Sequence, residues 1–279
     1  MMIKHSWRSQ AAKPSETLNI NLMIQFDSNR FGKLAMWSLR NDRSYYVRSF
    51  LQIFAVQTLM FLFFTTGVLK INNNSGNYSA CGVITIMFFL ITFLIGPSTM
   101  FYSLKGKHDK QALMLLPASN FEKYLMRYST WIIILPIGVV ASLGADLIQY
   151  VVNWLMGHPY TSFVFTRVFE LIGKGLDALN AQELNSFVIC NMWLHSIYAI
   201  GGSFFRSRKY TWVLTTLVII VIGLLMAWVM PESSNDNAQT PTHVMAIADA
   251  ITAILVMVNF WLSYRCFCRT QNIGKFINF

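Results

Sequence analysis

A chain of 279 residues that is 54% hydrophobic and only 12% charged, with a mean hydropathy of +0.45, is too apolar for an ordinary soluble domain, where about a quarter of residues are charged. The same values exclude intrinsic disorder, which needs low hydrophobicity. The formal net charge of +10 leaves two explanations, a nucleic-acid surface or membrane topology, and the distribution of the basic residues decides between them.

Residues 1–30 mix Ser, Asn, Gln and Lys without a sustained period and read as a flexible cytoplasmic tail; residues 31–279 read as a single transmembrane domain. From Phe31 the character changes. Lys33, Trp37, Arg40 and Arg48 share one helical stripe and Phe31, Leu34, Ala35, Tyr45 and Tyr46 another, interrupted by Ser38 and Asp42. That pattern predicts a helix at the membrane surface over residues 31–48.

Six apolar runs follow, over 50–69, 80–102, 129–148, 187–205, 210–230 and 244–264. Each suits a crossing of about 30 Å of hydrocarbon by roughly 20 helical residues, and none shows the period-2 alternation of a membrane barrel. The first 49 residues hold no apolar signal core, so the first run is expected to direct its own insertion. The expected fold is all-α: six transmembrane helices, an N-terminal surface helix and an outer amphipathic helix.

Nineteen of the 22 Lys and Arg lie before the first run, between the second and third, between the fourth and fifth, or after the sixth; the remaining connections hold only Lys70, Arg167 and Lys174. Such a split is a topology signal that puts both termini in the cytoplasm, and it makes a nucleic-acid partner unnecessary.

Between the second and third runs the chain reads SLKGKHDKQALMLLPASNFEKYLMRYS. Asp109–Leu116 reads as a short amphipathic turn, Pro117 as a break, and Ser119 with Glu122 as a capping box that starts the third helix well before its apolar run. Beyond the third run, residues 149–186 form the largest outer segment, and Phe165, Val168, Phe169, Ile172, Leu176 and Leu179 follow helical spacing. An interfacial helix is expected there, with Arg167, Glu170, Lys174 and Asp177 on its wet side. Pro97, after Gly96, and Pro136 are expected to bend their helices.

These features together resemble the type-2 ABC transporter permeases, six-helix exporter subunits that pair with a separate ATP-binding subunit. The resemblance rests on the surface helix, the inside-inside six-span layout, the LLPASNFEKYL connection and the outer amphipathic segment, and it covers about 230 residues. It implies that residues 105–123 act as a coupling helix docking on the ATPase, that the chain pairs with itself or a related permease in the bilayer, and that the setting is a bacterial cytoplasmic membrane. In this connection Leu113, Met114 and Leu116 are expected to present an apolar knob framed by Lys110 and Glu122. The chain itself contains no GxxxxGK[ST] phosphate loop, so ATP hydrolysis is expected from another polypeptide.

Ionisable groups at membrane depth cost about 2.5–3.5 kcal/mol at a helix centre and need a partner or water. Asp146, Asn191, His195 and Asp249 are therefore either the polar lining of a pathway or locally satisfied groups, the aspartates at the interface and His195 bonded to a neighbouring helix. No catalytic, cofactor-binding or metal-binding residue is expected. HExxH and GxSG are missing, and His195 and Ser203 lie eight residues apart, about 12 Å along one helix. The alternative to a permease is a non-transporting membrane scaffold or accessory subunit.

Overall fold

The computed structural model describes residues 26–66, 74–102, 112–113, 115–158, 161–205, 210–229 and 242–269. The helices are α1 (Ser28–Asn41), α2 (Arg43–Thr65), α3 (Asn74–Ile95), α4 (Asn120–Leu155), α5 (Val164–Ala178), α6 (Ala181–Phe204), α7 (Thr211–Val229) and α8 (Thr242–Cys268), with a 3₁₀ turn at Gly96–Thr99. Five of them, α2, α3, α4, α6 and α8, are long and apolar enough to cross a membrane, and they mark an integral membrane protein. Helix α7 contributes a shorter apolar stretch, Thr211–Leu225.

The helix predicted over 31–48 is two helices. Its break falls at Asp42, one of the two polar residues that interrupt the apolar stripe, and residues 43–48 open α2 instead. Asp42 ends α1 with its own N–H on the Ser38 carbonyl and offers its carbonyl to the N–H groups of Tyr45 and Tyr46. Helix α1 begins at Ser28, earlier than expected, because Asp27 caps it by accepting from the N–H groups of Asn29 and Arg30.

The capping box that opens α4 forms as the sequence predicts: Ser119 Oγ accepts from Glu122 N–H, and Glu122 accepts from Ser119 N–H. Helix α4 then runs for 36 residues through Pro136, about 54 Å at 1.5 Å per residue, well beyond the hydrocarbon thickness of roughly 30 Å. Its first turns therefore stand outside the apolar run.

Two packing centres lie at opposite ends of the bundle. At the far end Phe61, Tyr78, Cys81, Ala145, Val164 and Val168 join α2, α3, α4 and α5. At the end where α2 and α4 begin, here the basic end, Met100, Tyr124 and Phe267 join the 3₁₀ turn, α4 and α8. A hydroxyl chain runs beside the second centre: Tyr124 donates to Ser263 Oγ at 3.0 Å, Ser263 donates to the Ala199 carbonyl at 2.8 Å, and Ser203 bonds Ser263 at 2.9 Å.

Pro97 lies just past the end of α3, where its ring and missing N–H disfavour a further α-helical turn, and the chain tightens into the 3₁₀ turn. Helix α6 packs directly on that turn: a Cβ on Gly202 would lie 2.7 Å from the Pro97 carbonyl oxygen and 3.1 Å from Ser98 Cα. Gly202→Ala is expected to destabilise the bundle by about 1–3 kcal/mol, because the obstacle is backbone that cannot rotate away. Thermal unfolding in detergent measures this, and an unchanged midpoint would contradict the packing described.

Candidate functional site at the base of α4

The base of α4 is fastened to α1 and to the connection before it by one carboxylate. Glu122 is fully buried and takes a two-pronged contact from Arg30, Nε at 2.8 Å and Nη2 at 2.7 Å. It also accepts the backbone N–H groups of Asp27 and Ser119, each at 2.9 Å. Burial opposes its charge, but the Arg30 bonds and the two backbone donors win and hold the carboxyl down to about 2. A depressed carboxyl stabilises above its ordinary value and loses that contribution only as pH falls toward the folded one, so the clamp stays charged throughout the physiological range.

One turn along, α4 is fastened a second time. Arg127, fully buried, donates from Nη1 to Asp42 Oδ2 at 3.1 Å, and Ser38 and Asn41 donate to the same carboxylate at 3.3 and 3.2 Å. Between the two ion pairs Leu34, Leu113 and Met126 form an apolar cluster, flanked by Phe31, Trp37, Phe101, Leu116 and Ala118. The end of the connection is thus packed into the angle between α1 and α4.

This arrangement corrects the expected apolar knob. Leu113 is 1% exposed and faces inward, and Leu116 is half-buried beside it, whereas Leu115 stands out with 83% of its surface exposed. The reason is the neighbouring helix: α1 supplies Leu34 as a partner for Leu113, and a residue two places on faces the opposite way. Glu122 is likewise no framing charge at a rim, since Arg30 and the helix start enclose it. Lys110 and Met114 lie outside the described residues.

The polar residues of the apolar runs have separate partners. Asp146, 2% exposed, accepts the Val164 and Phe165 N–H groups at 2.9 and 3.1 Å and Gln149 Nε2 at 2.9 Å. It caps α5 from a different helix, where a negative group at a helix N-terminus is favourable. Asp249 accepts from Gln182, Asn185 and Ser186 at 3.0, 3.1 and 2.8 Å, which ties α8 to the start of α6. Asn191 donates to the Phe187 carbonyl of its own helix at 2.7 Å.

His195 is 1% exposed and bridges three helices. Its Nδ1 lies 2.7 Å from the Phe93 carbonyl oxygen, which only accepts, so Nδ1 donates. In the neutral tautomer Nε2 then accepts from Tyr128 O–H, 2.5 Å away. Phe93 stacks on the imidazole with centroids 4.5 Å apart, and Trp131 meets it edge-on at 4.8 Å.

Removing the Asp146 carboxylate leaves the Val164 and Phe165 N–H groups without an acceptor, at about 1–3 kcal/mol for each that stays dry, while Gln149 Nε2 keeps the Ser162 carbonyl. Asp146→Ala is therefore expected to loosen α5. Cys81, fully buried in the far-end core beside Val164 and Val168, is a built-in reporter. With Cys190, Cys266 and Cys268 replaced by Ser, its alkylation should rise in Asp146→Ala and stay low in the parent.

Arg30 and Asp27 fall in the segment read as tail, and nothing in periodicity signals a pairing across more than ninety residues. The Asp27 cap, four residues ahead of an amphipathic stretch, is the local sign that places the start of α1. In comparison with known proteins, the chain matches no family model, no curated protein and no solved structure.

Proposed function

We propose that this chain is the membrane-spanning permease subunit of an ABC-type exporter, driven by a separate ATP-binding subunit that docks at residues 105–123. In this reading the basic end is cytoplasmic, as the distribution of Lys and Arg favours, α7 is a sixth crossing, α1 lies along the membrane surface, and two copies or two related chains enclose the pathway. The observation that carries it is the double fastening of the base of α4 to α1, with the end of the connection packed between them. Leu113 is packed among Leu34 of α1 and Met126 of α4, with Leu116 and Ala118 beside it, the base of the 36-residue α4 is held to α1 by Glu122 and Arg127, and Leu115 remains exposed to meet a partner. In this reading a load applied at Leu115 passes to α4 through the neighbouring contacts of Leu113 and Leu116 with Leu34 and Met126.

Hydrolysis measurements test this. The purified chain, reconstituted into vesicles with a phosphate-loop ATPase encoded beside it, is expected to bind that ATPase and raise its turnover. Stable binding with unchanged turnover favours the scaffold, and no binding removes the permease assignment.

A further inference from the structure

Two adjoining cavities, of about 440 and about 300 Å³, open between α2, the 3₁₀ turn after α3 and α7. They share Tyr45, Ser49, Gln52, Thr99 and Trp212, so α2, the 3₁₀ turn and α7 form a common rim. The larger one continues past the rim into a chamber of Ile53, Ile91, Ile95, Ile134 and Trp131. The smaller one adds Ser98, Tyr102 and Thr211, all polar.

The order of these residues along the bundle gives the space a polarity. On α2, Tyr45, Ser49 and Gln52 precede Ile53; on the way into α3, Thr99 precedes Ile95 and Ile91. Eight residues separate Thr99 from Ile91, about 12 Å of axial depth, which is most of one leaflet of a hydrocarbon core roughly 30 Å thick. Ile91 and Trp212, 53% and 45% exposed, leave the space open sideways. The exposed Gln52 amide at the junction of the two zones has no hydrogen-bond partner among the described residues. An amide at that depth is favourable only with a partner.

We propose that these cavities form one lateral binding site for a single-chain amphiphile with an uncharged, hydroxyl- or amide-bearing head. The tail fills the isoleucine chamber, and the head bonds Gln52 and the hydroxyls of Tyr45, Ser49 and Thr99. Three observations select this class. The volume lies in the usual range for a small-molecule site, which is mostly apolar with a few convergent polar groups. The polar-to-apolar order runs along α2 and α3, so with these helices crossing a bilayer a molecule already aligned in the leaflet enters without turning over. Among the described residues no Asp, Glu, Lys, Arg or His lines either cavity, so these residues offer an ionised head no counter-charge, whereas they offer an uncharged head hydroxyls and an amide. The site does not depend on the permease assignment, and a scaffold would carry it equally.

The probe that tests it is a monoacylglycerol with a diazirine in its chain, irradiated with the full-length protein in vesicles and mapped by peptide mass spectrometry. Labelling is expected to concentrate on α2 near Ile53, α3 near Ile91 and α4 near Ile134, and to be displaced by unlabelled monoacylglycerol more readily than by an alkyl phosphate of the same length. Ile91→Trp, which fills the chamber, is expected to lower that labelling. Gln52→Leu keeps the chamber and removes the amide; it is expected to weaken the neutral-headed probe about tenfold, the equivalent of one well-made hydrogen bond, while leaving an alkane-diazirine probe unaffected. Should Ile91→Trp fail to fold, Gln52→Leu with the two probes decides alone. Labelling spread evenly over the apolar surfaces of α7 and α8 and indifferent to both substitutions means annular lipid only and overturns the proposal, as does preference for the phosphate head.

Discussion

Asp42→Ala is expected to cost the protein about 3–5 kcal/mol, the range for stranding one member of a buried ion pair. Both partners are enclosed, Asp42 at 3% exposure and Arg127 at 0%, so water cannot take over the lost bond. The removed carboxylate also holds Ser38 and Asn41 at the junction where α1 gives way to α2, so the loss should spread from one contact to the angle between two helices. Replacing both partners, Asp42→Asn with Arg127→Met, is expected to recover most of the stability, since a buried pair exchanged for uncharged groups of similar size is often neutral. Thermal unfolding in detergent across the two single variants and the double gives the coupling between them. Additive losses would mean that the pair is incidental to the base of α4.

How far the molecule could be read from its residues depended on the range of the interaction. Local chemistry was legible. The Ser119–Glu122 box starts α4 where the sequence says it should, and the spacing of Val168, Phe169, Ile172 and Leu176 yields α5, because caps and helical periodicity involve residues within two turns of one another. The predicted surface helix failed at Asp42 because a polar residue in an amphipathic stretch fits equally well as a solvated gap or as a junction. Arg127, brought by α4 from 85 residues away, makes it a junction.

The polar groups of the apolar runs show the same boundary. Composition signals that Asp146, His195 and Asp249 need partners, without naming them. The structure supplies the α5 N-terminus for the first, a carbonyl and a tyrosine for the second, and three donors of α6 for the third. The apolar knob expected from the sequence takes in Leu113 and leaves out Leu115, two places on. Which one faces outward is set by Leu34, a residue of a different helix.

If the proposed ATP-binding subunit docks here, Leu115→Ser is expected to weaken that docking by about 2 kcal/mol or more, close to thirtyfold in affinity, as truncating an apolar anchor at the centre of an interface does. The folded protein should be indifferent, since that side chain is 83% exposed. Leu113→Ser is expected to behave in the opposite sense: it places a hydroxyl among Leu34 and Met126, lowers the unfolding temperature, and weakens docking only through the disturbed base of α4. The pair of substitutions separates a contact residue from a core residue within three positions.

The central claim, that a separate ATPase drives α4 through this connection, meets its most direct test in ATP turnover measured with the wild-type chain and with Leu115→Ser in the same vesicles. The account predicts that the wild type binds the ATPase and stimulates it, and that Leu115→Ser inserts and melts normally yet loses both binding and stimulation. A Leu115→Ser chain that binds and stimulates as the wild type does would contradict it.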